Sequence, residues 1–167
     1  MIPALILAAA PAVSPRNLGK AEGQCRPHES GPAFLVEVAG LRDRTGLLKL
    51  EVYPANDTDF LADDTALVAQ GRVFRRVEST IAGAGPARLC VRLPGPGRYA
   101  VSLLHDRNGD HRFNLSGDGI GFASNPKLGW SKPRAAVATA TATAGNGPTA
   151  IRIVMNYRRG LSMRPES

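Results

Sequence analysis

Short apolar runs that alternate every second residue recur through this chain, and they restrict it to a layered β architecture. Phe34, Val36 and Val38 alternate with Leu35, Glu37 and Ala39 and stop at Gly40. Leu48, Leu50 and Val52 alternate with Lys49 and Glu51 and stop at Tyr53-Pro54. Further runs follow at Arg72 to Glu78, Arg88 to Leu93, Arg98 to Leu104, Ala135 to Ala144 and Ile151 to Tyr157. A period of two sends successive side chains to opposite faces, so each run has one face for a core and one for water. Most of the Gly and Pro residues fall between the runs, where turns are needed. Asp43 to Gly46 reads as a hairpin turn. Residues 55–70 read as a short helical turn capped by Asp or Thr. The pattern predicts an all-β fold: an antiparallel β-sandwich of about seven strands with Greek-key connections.

At 167 residues the chain suits a single domain with a proper core. Residues 1–13 read as the apolar centre of a signal peptide, with Ala10-Pro11-Ala12 as a small-x-small cleavage site, although no Lys or Arg precedes it. The run is too short for a permanent span, so the mature chain is expected to have no transmembrane segment. Residues 14–32 read as an irregular lead-in, 33–158 as the sandwich domain and 159–167 as a frayed basic tail. The expected location is therefore outside the cytoplasm, periplasmic or extracellular. Two cysteines agree with that compartment. Cys90 shares the polar face of its strand with Arg88 and Arg92, so it points away from the core, where a bond to Cys25 would fasten the lead-in. Two free thiols are the other reading.

The net charge is +7, but the basic residues are scattered and aromatics make up only 5%. Stacking platforms and basic stripes are both lacking, and no zinc-finger, helix-turn-helix or RNA-recognition signature is present. Specific nucleic-acid binding is not expected.

Residues 105–133 form a long stretch rich in Gly, Asn and Asp without a period, and stretches of that kind are usually functional or held by their own contacts. It opens with His105-Asp106-Arg107-Asn108-Gly109-Asp110-His111-Arg112-Phe113-Asn114. Asp106, Asn108, Asp110, Asn114 and Asp118 are candidate Ca²⁺ ligands, because that ion takes roughly six to eight oxygens and a short Asp/Asn loop supplies them. A metal-free turn, with the same side chains capping backbone N–H groups, is equally open. His111 stands where a calcium loop of the EF-hand form has Gly, and Gly117 where it has a bidentate Glu. Asp118 is the residue placed to compensate. His105, Phe122, Asn125 and Trp130 are candidate contacts for a cell-envelope polymer or protein partner. An alternative gives His105 and Asp106 the work of a small hydrolase, but no nucleophile lies in a Gly-x-Ser-x-Gly context. A non-catalytic module is the preferred reading.

Gly97-Arg98-Tyr99-Ala100-Val101 leads into His105-Asp106-x-Asn108-Gly109-Asp110, followed by Gly119-Ile120-Gly121-Phe122-Ala123-Ser124-Asn125 and the Ile151 to Tyr157 strand. On these segments the chain resembles the bacterial DUF2141 family over about residues 34–157. The resemblance implies a small exported sandwich related to prealbumin-like or carboxypeptidase-regulatory-like modules, within a prealbumin/immunoglobulin-like fold class, and no established activity. The Asp/Asn run by itself resembles the calcium loops of some bacterial surface β-sandwich repeats.

Overall fold

The computed structural model describes residues 14–145 and 147–166. The expected signal peptide over residues 1–13 lies outside the described residues. Among the described residues ten strands follow in chain order: β1 Ala33–Ala39, β2 Leu47–Pro54, β3 Arg75–Thr80, β4 Ala87–Arg92, β5 Gly97–Asp106, β6 Gly119–Phe122, β7 Thr139–Ala142, β8 Thr149–Val154, β9 Asn156–Arg159 and β10 Ser162–Pro165. Two short helices, α1 Lys20–Gly23 and α2 Asp64–Ala69, complete the set with two 3₁₀ turns.

The strands form two sheets packed face to face, the sandwich that the alternation predicts. One has three strands in the order β4-β1-β8. The other has seven, in the order β10-β9-β6-β5-β2-β3, with β7 also on β5. β2 and β3 form a hairpin in the large sheet and β4 then returns beside β1, the connectivity of a Greek key. Pairing is antiparallel except between β1 and β8, where Val36 lies opposite Ile151 in a parallel register. Asp43 to Gly46 is therefore no hairpin turn. It carries the chain from β1 in one sheet to β2 in the other.

Between the sheets lies a core of Phe34, Val36, Leu50, Val52, Val101, Leu103, Ile153, Met155 and Tyr157. A second cluster covers the far face of the large sheet: Tyr53, Phe60, Leu67, Phe74, Ala100, Phe122, Ala135 and Ala138. The central strands are consequently buried on both faces, and β5 has no exposed residue from Tyr99 to Asp106. The expectation of one solvated face holds for the three-stranded sheet, β1, β4 and β8. Helix α2 supplies part of the cover. Asp63 caps it by accepting from the Ala66 N–H at 2.8 Å, and Leu67 turns inward. Beneath it the buried Arg76 guanidinium donates to Glu51 at 2.8 Å and to Asp64 at 2.5 Å, while the Tyr53 hydroxyl donates to Glu51 at 2.7 Å.

Three further stretches differ from the sequence pattern. The last alternating run divides at Met155, whose N–H donates to Ala39 at 2.9 Å, so β8 and β9 belong to different sheets. Residues 135–144 begin with a 3₁₀ turn and are extended only over β7. The basic tail is not frayed, since β10 pairs with β9 and sets Met163 opposite Arg158. Cys25 and Cys90 form a disulfide with Cα atoms 5.8 Å apart. No helix among the described residues is long and apolar enough to cross a membrane.

Candidate functional site

β5 ends at Asp106 and β6 starts at Gly119, and the intervening loop is folded around carboxylates. Asp106 accepts from the N–H groups of Gly109 at 2.8 Å and His111 at 2.7 Å. Asp118 accepts from Arg107 N–H at 2.9 Å and Asn114 N–H at 2.8 Å, which ties both ends of the loop together. Asp110 accepts from Arg112 N–H at 2.8 Å and from the side-chain amides of Asn108 at 2.9 Å and Asn114 at 2.8 Å. One oxygen from each of Asp106, Asp110 and Asp118 lies within 4.8 Å of the others. All five candidate ligands thus meet in one place. Asp106 and Asp118 are buried there, at 0% and 2% exposure, while Asp110 faces solvent.

Backbone N–H bonds of this kind hold a carboxylate in its charged form, and hydrogen bonding of that form keeps the Asp110 carboxyl below the usual range, with Arg112 N–H the largest contributor. The four oxygens of Asp106 and Asp118, and Oδ1 of Asp110, each keep a second lone-pair direction for another partner. The amide nitrogens of Asn108 and Asn114 point at Asp110. Flipping both amides presents oxygens instead, and the donor set is then all oxygen, which suits Ca²⁺ better than Zn²⁺ or Cu²⁺.

The turn that a Gly would make in a calcium loop is made by His111, whose φ of 65° is left-handed. Such a conformation is uncommon outside Gly, and three contacts impose it here. Its N–H is held by Asp106, its carbonyl accepts from Lys49 at 3.1 Å, and its ring meets Glu78 at 3.2 Å. Arg107 clamps the other side. It donates to Asp43 and, at 3.1 Å, to the Gly117 carbonyl. This guanidinium holds the Asp43 carboxyl well below the usual range, with Thr45 assisting. Gly46 lies against the strand end, where a Cβ would collide with the Asp106 carbonyl oxygen.

His105 lies on the other face of β5 and is fully enclosed. Its Nε2 faces the Thr45 carbonyl at 2.9 Å, which can only accept, so Nε2 carries the proton. Nδ1 is then free to accept from the Tyr157 hydroxyl at 2.5 Å, and that oxygen accepts from Arg42 N–H at 3.1 Å. Burial pulls the His105 pKa below its ordinary value and pushes Tyr157 up to about 12. Along this line of hydrogen bonds both ring nitrogens and the Tyr157 hydroxyl have partners when the ring is neutral. His105 and Asp106 point to opposite faces of one strand and are not brought together as a catalytic pair.

The other contact candidates separate. Phe122 is 3% exposed and packs edge-to-face on Phe60 at 5.8 Å, so like His105 it offers no surface to a ligand. Asn125 uses its side chain as a backbone substitute, donating to the Arg152 carbonyl at 3.0 Å and accepting from Val154 N–H at 2.7 Å. Trp130 is 81% exposed beside a groove lined by Leu115, Leu128, Leu161 and Met163. Sequence reasoning missed the Asp43–Arg107 clamp, which joins residues far apart in the chain. It also missed Leu161 and Met163, although two apolar residues in an otherwise basic tail are themselves a signal.

Compared with known proteins, the chain matches one family model, described as an uncharacterized protein conserved in bacteria (DUF2141), over residues 36–151. No curated protein and no solved structure matches it. The matched span starts in β1 and ends in β8, and it contains the whole 105–133 segment.

Proposed function

The chain belongs to the DUF2141 family, and from that premise we propose that it is an exported, non-catalytic β-sandwich module. Its 105–133 segment binds Ca²⁺ and, so stiffened, presents a contact surface to a cell-envelope polymer or protein. The observation that carries this reading is the convergence of three carboxylates within 4.8 Å, two of them buried. Like charges that close repel unless a cation or a proton intervenes. The neighbouring guanidinium of Arg107 is turned to Asp43 and the Gly117 carbonyl. Asp106, Asp110 and Asp118 would hold the ion with Asn108 and Asn114 completing the shell. The Cys25–Cys90 bond supports export, since disulfides persist in oxidising compartments. The enclosed, fully partnered His105 supports a role without catalysis.

Thermal melting in calcium and in chelator tests the site. A ligand at about 100 times its Kd stabilises the native state by roughly 2.7 kcal/mol. For a domain of this size that corresponds to a rise of roughly 5–10 °C. Asp110→Asn removes the charge of one exposed ligand without disturbing a buried one, so it weakens binding and shrinks the rise, and it leaves melting in chelator little changed. No rise at millimolar calcium overturns the calcium reading.

A further inference from the structure

Trp130 and Leu161 are the two most exposed large apolar residues among the described residues, at 81% and 76%, and they stand beside each other. They belong to separate turns. Trp130 sits in the segment after β6, and Leu161 sits at the tip of the β9–β10 hairpin. Leu115, at the foot of the carboxylate loop and 42% exposed, joins them, so three turns raise apolar side chains at one place. The groove continues past Leu128 and Met163 to Lys127 and Arg164, and Arg158 lies across from Met163 on the neighbouring strand. Three cations therefore border the patch, and neither part of the groove contains an Asp or Glu. Arg159, next in the chain, is by contrast held by Glu166. The Arg158 guanidinium donates to the Gly160 carbonyl at 3.0 Å, which keeps it at the rim of the hairpin tip.

Apolar side chains that project from turn tips insert into a partner, whereas apolar residues on a groove floor receive one. Trp favours the boundary between water and acyl chains because its ring is apolar and its N–H polar. Lys and Arg around such a tip add attraction to anionic headgroups, and stable attachment takes both signals. We propose that this face docks the protein on an anionic phospholipid bilayer, with Trp130, Leu161 and Leu115 entering the headgroup region and Lys127, Arg158 and Arg164 meeting the phosphates. The net charge of +7 acts in the same direction. The proposal goes beyond the calcium reading and does not depend on it.

Trp130 is the single tryptophan, so its fluorescence reports on the patch directly. The full chain is mixed, in chelator, with vesicles of phosphatidylglycerol and phosphatidylethanolamine, and separately with vesicles of phosphatidylcholine. Anionic vesicles are expected to shift the emission to the blue and shield it from acrylamide, and high salt reverses the effect. Leu161→Ser weakens partition by about tenfold, as loss of one buried aliphatic side chain requires. The triple variant Lys127→Gln, Arg158→Gln, Arg164→Gln weakens it by tenfold or more with melting unchanged, because all three are exposed. An unshifted, acrylamide-accessible Trp130 overturns the proposal, even if the protein pellets with vesicles, since the apolar 1–13 run is common to every protein compared. Equal blue shifts on neutral and anionic vesicles overturn the role of the cations. Because chelator is present throughout, these outcomes are separate from the calcium melting test.

Discussion

His105 illustrates how one buried polar side chain can be fixed by its neighbours. Thr45 sets its tautomer, and Tyr157 and Arg42 complete a line of hydrogen bonds that crosses from the β1–β2 connection to β9. Tyr157→Phe leaves the His105 Nδ1 and the Arg42 N–H unpaired in a closed space, which costs about 1–3 kcal/mol. Urea unfolding at neutral pH measures it. A change below about half a kcal/mol would show that water replaces the hydroxyl. The same residue gives stability a pH dependence. Burial lowers the His105 pKa in the native state, so below about 6.5 the unfolded chain binds more protons and stability declines as pH falls. The Asp43 carboxyl, held low by Arg107, adds a second loss with the same sign that begins only below about pH 4. His105→Gln is less stable than the natural protein at pH 7.5, but it lacks the first loss. Its urea midpoint therefore approaches that of the natural protein as pH falls from 6.5 to 5. A constant gap across that range would mean that His105 does not titrate on unfolding.

Among the elements, the carboxylate loop and the turn that abuts it form one unit. Gly46, with φ 73°, lies where a Cβ would strike the Asp106 carbonyl oxygen, whereas Gly109, with φ 72°, has open space around it. Both substitutions to Ala carry the left-handed backbone cost of about 1 kcal/mol. Gly46→Ala adds overpacking against backbone, about 1–3 kcal/mol more. Denaturant midpoints of the two variants should therefore differ clearly, with Gly46→Ala the less stable, and only Gly46→Ala should move the end of β5. Equal losses would show that the backbone shifts freely at Asp106. These contacts explain which elements were legible beforehand. β1, β2, β4 and β5 carry strong local alternation, and the Asp/Asn run marks its loop by composition alone. β6 was hidden because Gly119 and Gly121 stand where side chains would reveal a period; both glycines lie against neighbouring side chains, Tyr157 and Ile153, that a Cβ would strike. The two buried faces of β2 and β5 were equally hidden. Glu51 and Ser102 look like solvent-facing residues until Arg76, Tyr53 and α2 cover them. Tertiary cover, unlike strand period, leaves no local trace.

At the scale of the molecule, the lead-in is part of the fold. Leu18 packs against the second cluster, and Arg76 N–H donates to the Gly19 carbonyl at 3.1 Å as α1 lies along β3. Lys20 reaches Glu78 at 2.6 Å, and Glu78 in turn holds His111, so the lead-in connects through one carboxylate to the turn of the carboxylate loop. These contacts are few and mostly at the surface, where ion pairs contribute little. The Cys25–Cys90 bond is the strong restraint. It joins residues 65 apart, and closing a loop of that size limits the unfolded chain by about 4 kcal/mol in the chain-entropy account. Replacing both cysteines by Ser should lower the melting temperature by roughly 8–16 °C. Dithiothreitol should lower the natural protein by the same amount and leave the double variant unaffected. The loss should also reach the loop: with the lead-in loosened, Glu78 is held less firmly and His111 loses a partner for its left-handed turn. Calcium affinity in the double variant should then fall, measured as a higher midpoint in calcium titrations of melting temperature. If stability drops but the calcium midpoint is unchanged, the lead-in supports the sandwich alone, and the Lys20–Glu78–His111 line carries no coupling between the two ends of the molecule.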